Sequence, residues 1–318
     1  MSTTQPRPSP SPRALLIAGP TASGKSALAL DAARAYGGVI VNADSMQVYA
    51  EMRVLTARPS QQEEALAPHR LYGHVSVREP YSVARWLEEV MREIAAAEAA
   101  GRLPIIVGGT GLYFKALLEG LSPVPPIPAD IRAHWRAAGE TQPAAQLHAE
   151  LERRDPLTAG QLRPSDTQRI VRALEVIEAT GRPLAMWQQE PGSPAIDAAM
   201  AARIVVARPR EVLYQRSDAR FRRMVGEGAL AEAEAVLQMQ LDPALPAMRA
   251  LGLKPLMACL RHEIDPEAAI AAATQETRHY IKRQLTWLRR HMISWKWLSE
   301  QEMESSIDQV FSNLDFAD

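Results

Sequence analysis

The sequence predicts an α/β fold, a parallel sheet flanked by helices and interrupted by an inserted all-helical domain. Three observations predict it. Short apolar runs alternate with alanine-rich stretches of helical spacing, the first run opens through a glycine-rich loop into a helix, and the middle of the chain is helical without a convincing strand. Residues 14–18 (ALLIA) read as a buried strand, and 26–36, with Leu28 and Leu30 among alanines, as a helix stopped by Gly37 and Gly38. A second strand covers 39–41 and ends at Asn42-Ala43-Asp44. A long helix over 82–100 carries Trp86, Leu87, Val90, Met91 and Ile94 at helical spacing. A third strand, 105–107, runs into Gly108-Gly109-Thr110-Gly111. Strands alternating with helices of this length imply parallel pairing through right-handed crossovers.

Beyond Gly120 the texture changes. Residues 122–128 (SPVPPIP) read as a stiff linker, and 129–190 as helical; 203–207 (RIVVA) return as a strand, and 211–297 are again mostly helical. The expected layout is a disordered tail (1–13), the first part of the core (14–122), a helical insertion (123–200), and core completion with C-terminal helices (201–318).

Composition narrows the function classes. Of 318 residues, 47% are hydrophobic and 23% charged, enough apolar material for a core, which excludes a wholly disordered chain. No apolar run approaches the roughly 18 residues of a membrane span, and the Ser/Pro-rich start lacks a signal-peptide pattern. One cysteine, Cys259, excludes an internal disulfide and a cysteine-rich zinc site, and fits a reducing cytoplasm. The net charge is −1, yet Arg278, Lys282, Arg283, Arg289, Arg290 and Lys296 crowd together with Glu276 the only nearby acid. That run is either a solvated helix face or a surface for a polyanion. His69 and His74 lack a carboxylate cluster and read as structural, and Trp287, Trp295 and Trp297 read as core.

The strongest local signal is Gly19-Pro20-Thr21-Ala22-Ser23-Gly24-Lys25-Ser26, a match to G-x-x-x-x-G-K-[ST] between a strand and a helix. That context defines a P-loop. Its backbone amides converge on phosphate oxygens, Lys25 neutralises the terminal phosphates, and Ser26 offers a hydroxyl to Mg²⁺. A P-loop specifies a phosphate ligand and leaves the reaction open. Asp44, just past the second strand, is the carboxylate at the crevice end of the sheet, a metal ligand or base if the chain is an enzyme, a turn carboxylate if it is not.

Five segments in order, 19–26, 43–49 (ADSMQVY), 108–113 (GGTGLY), 168–175 (QRIVRALE) and 282–289 (KRQLTWLR), resemble the bacterial tRNA dimethylallyltransferases, also called tRNA isopentenyltransferases. The resemblance spans about 14–297. It implies transfer of a dimethylallyl group from dimethylallyl diphosphate to N6 of the adenine 3′ of the anticodon. It also implies a P-loop that holds the donor's diphosphate with Mg²⁺. On this reading Asp44 is the general base, Thr21 donates to the departing bridging oxygen, and Arg220 completes the diphosphate clamp. The adenine must be everted to reach a carboxylate. The resemblance assigns tRNA contact to Asp44, Ser45, Met46, Gln47, Thr110, Arg132, Gln168, Arg169, Ile170, Val171, Arg172, Arg249, Lys254, Lys282, Arg283 and Arg289. Gln168 and Arg172, four apart, share a helix face.

Some positions depart from the family pattern. Leu55 stands for its glycine, Arg58 for its lysine, and Leu253 for an aromatic, and a single cysteine rules out the zinc finger of eukaryotic members. No membrane, no obligate protein partner and a monomeric state are expected. The rival reading is a P-loop small-molecule kinase using ATP; a non-catalytic RNA-binding module is opposed by intact Lys25, Ser26 and Asp44.

Overall fold

Strand β1 (Ala14–Ala18) lies inside a six-stranded sheet in the computed structural model, which describes residues 13–298 and residue 302. Its partners are β4 (Pro104–Gly108) on one side and β5 (Ala201–Val206) on the other. Every pairing is parallel, and the order is β3-β2-β4-β1-β5-β6. All five residues of β1 are buried, because both faces of the sheet are covered. Leu15, Ile17, Ile105, Val107, Ile204 and Val206 point to one face, against α1 (Lys25–Ala35). Leu16, Ala18, Val41, Ile106 and Val205 point to the other, within a core that includes Trp86 and Phe114.

The remaining elements of this unit follow from the chain order. β2 (Val39–Asn42) precedes the short α2 (Gln61–Leu66), whose N-cap Ser60 forms a capping box with Glu63. β3 (His69–Arg70) edges the sheet, and α3 (Val83–Ala99) buries Trp86, Val90, Ile94 and Ala97 on one stripe. After β4 comes α4 (Gly111–Glu119). The chain then leaves the unit and returns with β5, α10 (Arg210–Met224), α11 (Leu230–Gln238), α12 (Leu253–Leu260), α13 (Pro266–His291) and β6 (Lys296–Leu298).

The second compact unit is Glu119–Pro194. It contains α5 (Ala129–Thr141), α6 (Ala144–Arg154), α7 (Pro156–Ala159), α8 (Thr167–Thr180) and α9 (Leu184–Trp187). Its own core joins Trp135, Leu147, Leu151, Ile170 and Leu174. Asp155, fully buried, caps α7 and accepts from the Leu184 amide at 3.2 Å, so one carboxylate secures two helix starts.

Four differences from the sequence reading have physical causes. The helical unit begins and ends earlier than 123 and 200, because 195–200 pack with the sheet-bearing unit: Ala195 and Ile196 donate to the Leu117 carbonyl. The proline-rich segment is no free linker; Ile127 is buried in the helical core and Val124 packs against it. Strand β6 was hidden inside a stretch read as helical, since Trp295-Lys296-Trp297-Leu298 alternates too briefly to declare itself. Strand β3, two residues long, carried no signal. Of the expected tail, only Arg13 is among the described residues; its amide donates to the Met200 carbonyl at 2.7 Å.

Candidate active site

Three loops meet where β1, β2 and β4 end, the side of a parallel sheet on which ligands bind. The loop after β1 is the P-loop. Ala22 (φ 66°) and Gly24 (φ 99°) both adopt left-handed backbone, which turns successive amides inward ahead of α1. For Ala22 that conformation is strained, of the order of 1–2 kcal/mol. Gly19 is required by space: a Cβ there would stand 2.4 Å from the Val206 carbonyl oxygen and 2.7 Å from Ser23 Oγ. The Ser23 hydroxyl is buried and meets no partner among the described residues, an orphaned donor inside the loop. From β5's end, Arg208 Nε donates to the Ser23 carbonyl at 3.3 Å. Pro20 contributes its carbonyl, which accepts from Lys25 Nζ at 3.3 Å.

The loop after β2 is organised by Asn42, which is fully buried. Its Oδ1 accepts from the Asp44 amide at 2.8 Å, while Nδ2 donates to the carbonyls of Asp44 and Leu71 at 2.9 and 3.0 Å. Asp44 Oδ1 in turn accepts from the Met46 amide at 3.0 Å. One carboxylate oxygen is thereby anchored, and Oδ2 faces the space above Gly109, 3.5 Å from where a methyl on that glycine would stand. The Ser45 amide donates to Thr110 Oγ1 at 3.0 Å, tying this loop to the turn after β4. Gln47 is spent on structure, its Nε2 donating to the carbonyls of Thr56 and Ala57 at 3.0 and 2.9 Å.

The turn after β4 packs against the same neighbours. At Gly108 a Cβ would fall 2.0 Å from the Ala43 carbonyl oxygen, so only glycine fits. Beneath the turn lies α13. Gln284, buried on that helix, accepts from the Thr21 amide through Oε1 at 3.0 Å and donates through Nε2 to the Gly109 carbonyl at 2.9 Å. The Trp287 ring sits against Gly111, where a Cβ would come within 2.2 Å of it.

The electrostatics centre on Asp44. Burial pulls the Lys25 ammonium down to about 8; the Asp44 charge opposes this and Arg220 adds to it. Arg220, half-buried on α10, is also lowered by burial, with Asp44 again opposing. The hydroxyls of Tyr72, Tyr113 and Tyr280 are held above the ordinary range, first by burial and then by the Asp44 charge. The charge of one carboxylate is thus felt by two cations and three phenols. Such a site suits an incoming polyanion, which the cations and the loop amides can meet.

Among the described residues no cluster of three His, Cys, Asp or Glu could hold a metal. His69 Nδ1 lies 2.8 Å from the Ala67 carbonyl, and His74 pairs with Glu89. A hard cation carried in by phosphate oxygens needs little from the protein, and the exposed Ser26 hydroxyl on the first turn of α1 supplies an oxygen donor of the right kind.

The expected RNA-facing residues divide. Arg249, Lys254, Lys282, Arg283 and Arg289 are exposed on the sheet-bearing unit. In the helical unit Arg132, Gln168, Arg169 and Arg172 are exposed, Arg169 pairing with Asp166 and Arg172 with Glu175. Ile170 and Val171 must be corrected: on α8 they turn inward to the helical core, Ile170 fully buried, so their side chains are not offered to a partner. Arg278, part of the basic run, is engaged by Asp218. The departures are accommodated. Leu55 is buried without left-handed backbone, which falls instead on Ala57 (φ 54°), and Arg58 donates to the Tyr49 and Ala50 carbonyls. Leu253 is fully buried. Sequence reasoning missed Gln284, Asn42 and Arg208. A polar residue on the apolar stripe of Ile281, Leu285 and Leu288 was the available signal for Gln284.

Fold and site together define an α/β P-loop enzyme with a carboxylate, Asp44, beside the glycine turn after β4. A family model described as IPP transferase matches residues 47–291, and one described as isopentenyl transferase matches 12–78. The tRNA dimethylallyltransferase of Parvibaculum lavamentivorans is 56% identical over 307 residues, covering 95% of this chain and 96% of its own. That of Azorhizobium caulinodans is 51% identical over 303 residues, with 95% and 96% covered. Among solved structures, a tRNA isopentenylpyrophosphate transferase from Bacillus halodurans superposes with TM-score 0.66 at 29% identity, covering 95% of each chain. A eukaryotic dimethylallyltransferase acting on tRNA superposes with TM-score 0.79 at 26% identity, covering 95% of this chain and 79% of its own. The chain belongs to the tRNA dimethylallyltransferase family of prenyl-transferring, tRNA-modifying enzymes.

Proposed function

We propose that the chain transfers a dimethylallyl group from dimethylallyl diphosphate to N6 of the adenine 3′-adjacent to the anticodon in tRNA, releasing diphosphate. The observation that carries this is Asp44, with one oxygen anchored by the Met46 amide and the other facing the space above Gly109, beside Lys25 and Arg220. The residues 19–26 hold the diphosphate. Negative charge grows on it as the allylic C–O bond breaks, and Lys25, Arg220 and the loop amides stabilise that charge. Thr21 donates from its hydroxyl to the bridging oxygen that leaves. The N6 lone pair forms the new bond to carbon, the C–O electron pair departs with diphosphate, and the N6 proton passes to Asp44.

Mg²⁺, held through Ser26 and the phosphate oxygens, would supply further charge neutralisation on the diphosphate. Ser45, Met46 and Thr110 border the everted adenine, through backbone for the first two and hydroxyl for the third. The exposed basic residues of α13, with Arg249 and Lys254, meet phosphates of the RNA, as do Arg132, Arg169 and Arg172 on the helical unit; Gln168 adds a neutral hydrogen-bonding contact. We read the enzyme as a cytoplasmic monomer; among the described residues no helix is long and apolar enough to cross a membrane.

The test is incubation with an anticodon stem-loop and either labelled dimethylallyl diphosphate or γ-labelled ATP. Label entering RNA only from the prenyl donor supports the assignment. Phosphoryl transfer from ATP without prenyl transfer overturns it in favour of a kinase.

A further inference from the structure

The segment Lys282–Arg289 occupies two faces of α13. Lys282, Arg283 and Arg289 are exposed, while Gln284 and Leu285 are buried and Trp287 lies against Gly111. The outward face is basic. The inward face reaches the two loops that hold the reacting groups, and Gln284 is its polar member.

The orientation of its carboxamide is dictated by its neighbours. The Thr21 amide can only donate and must meet Oε1; the Gly109 carbonyl can only accept and must meet Nε2. One side chain therefore bonds the first turn of the P-loop to the glycine turn after β4. Two consequences follow. The Thr21 amide is committed to Gln284 and is withdrawn from the set of loop amides available to phosphate. Gln284 also shares the surroundings of Gly109 with Asp44: a methyl on Gly109 would stand 2.4 Å from Gln284 Nε2 and 3.5 Å from Asp44 Oδ2. Tyr280 lies one helical turn earlier on α13, its hydroxyl held above the ordinary range first by burial and then by the Asp44 charge.

We propose that Gln284 is a positioning residue for prenyl transfer, a crossbar that sets the distance between the loop gripping the donor and the turn beside the general base. It touches neither substrate. Its contribution is to the geometry of attack, where displacement by about 1 Å can cost about 10²-fold in rate. The inference deepens the functional reading above and rests on it. Wild-type transfer from dimethylallyl diphosphate tests that reading, whereas a comparison of variants tests this one.

Gln284→Met fills the same space without either hydrogen bond. Gln284→Glu retains the acceptor for the Thr21 amide and regains a donor for the Gly109 carbonyl when protonated. The full-length variants are compared by kcat, donor KM and tRNA affinity, with thermal melting alongside. The expected order of kcat near pH 6 is wild type, then Gln284→Glu, then Gln284→Met, with the last reduced at least about tenfold. Donor KM rises in Gln284→Met and tRNA affinity holds in both. The ratio of Gln284→Glu to Gln284→Met activity increases as pH falls. A merely structural role predicts the reverse order, because Met is tolerated in a core and a buried carboxylate is not. That reverse order, kinetics indistinguishable from wild type, or a loss confined to tRNA affinity would each overturn the proposal.

Discussion

Lys25 links local burial to a measurable pH dependence. Its ammonium is brought down to about 8 from 10.5, so it loses its proton on the alkaline side of neutrality. Donor KM is expected to rise as pH passes above about 8, measured at saturating tRNA; a flat profile to pH 9 would show that this amine carries none of the donor's charge. Without ligand the sign for stability is opposite. Between about 8 and 10.5 the unfolded chain binds a proton that the folded chain does not, so the free protein gains stability from this residue across that window. The residues of the loop were legible in the sequence because their spacing is a backbone requirement. Gly19 and Gly24 are dictated by a neighbouring carbonyl and a left-handed φ, neither of which another residue meets cheaply. Gln284 was illegible as a loop partner because its bonds reach residues 263 and 175 positions away.

Among the elements, α13 shows how one helix divides its labour. Ile281, Leu285 and Leu288 bury it, and Lys282, Arg283 and Arg289 stay in solvent. Neutralising Lys282 and Arg283 together is expected to weaken RNA binding and to flatten the dependence of log K on log salt by about one unit per residue. An unchanged slope would place the RNA elsewhere. In the sheet-bearing unit β1, α1, α3 and β4 could be read from periodicity, since each combines a strong pattern with a glycine at or just past its end. β6 could not, because three residues at the sheet edge owe their extended state to pairing with Ile204, Val205 and Val206. Ile170 and Val171 fell on the wrong face for a similar reason. A motif match names residues in a row, whereas the 3.6-residue period turns the apolar pair toward Leu147 and Leu174.

For the molecule as a whole, two compact units carry separate cores. All the groups assigned to the donor and to proton removal belong to the sheet-bearing unit. Leu147→Ala empties space within the helical core and is expected to cost about 2–5 kcal/mol there. Native-state hydrogen exchange would detect the loss across α5, α6 and α8, while dimethylallyl diphosphate affinity stays unchanged. Equal loss of exchange protection in β1 and β4 would show that the two cores unfold as one.

The most direct measurement is the single-turnover rate of Asp44→Asn with labelled dimethylallyl diphosphate and an anticodon stem-loop, at enzyme concentrations saturating for both. The predicted result is a rate lowered by about 10²–10⁴-fold with RNA affinity intact, as expected for removal of a general base. A rate equal to wild type would contradict the assignment of proton removal to Asp44.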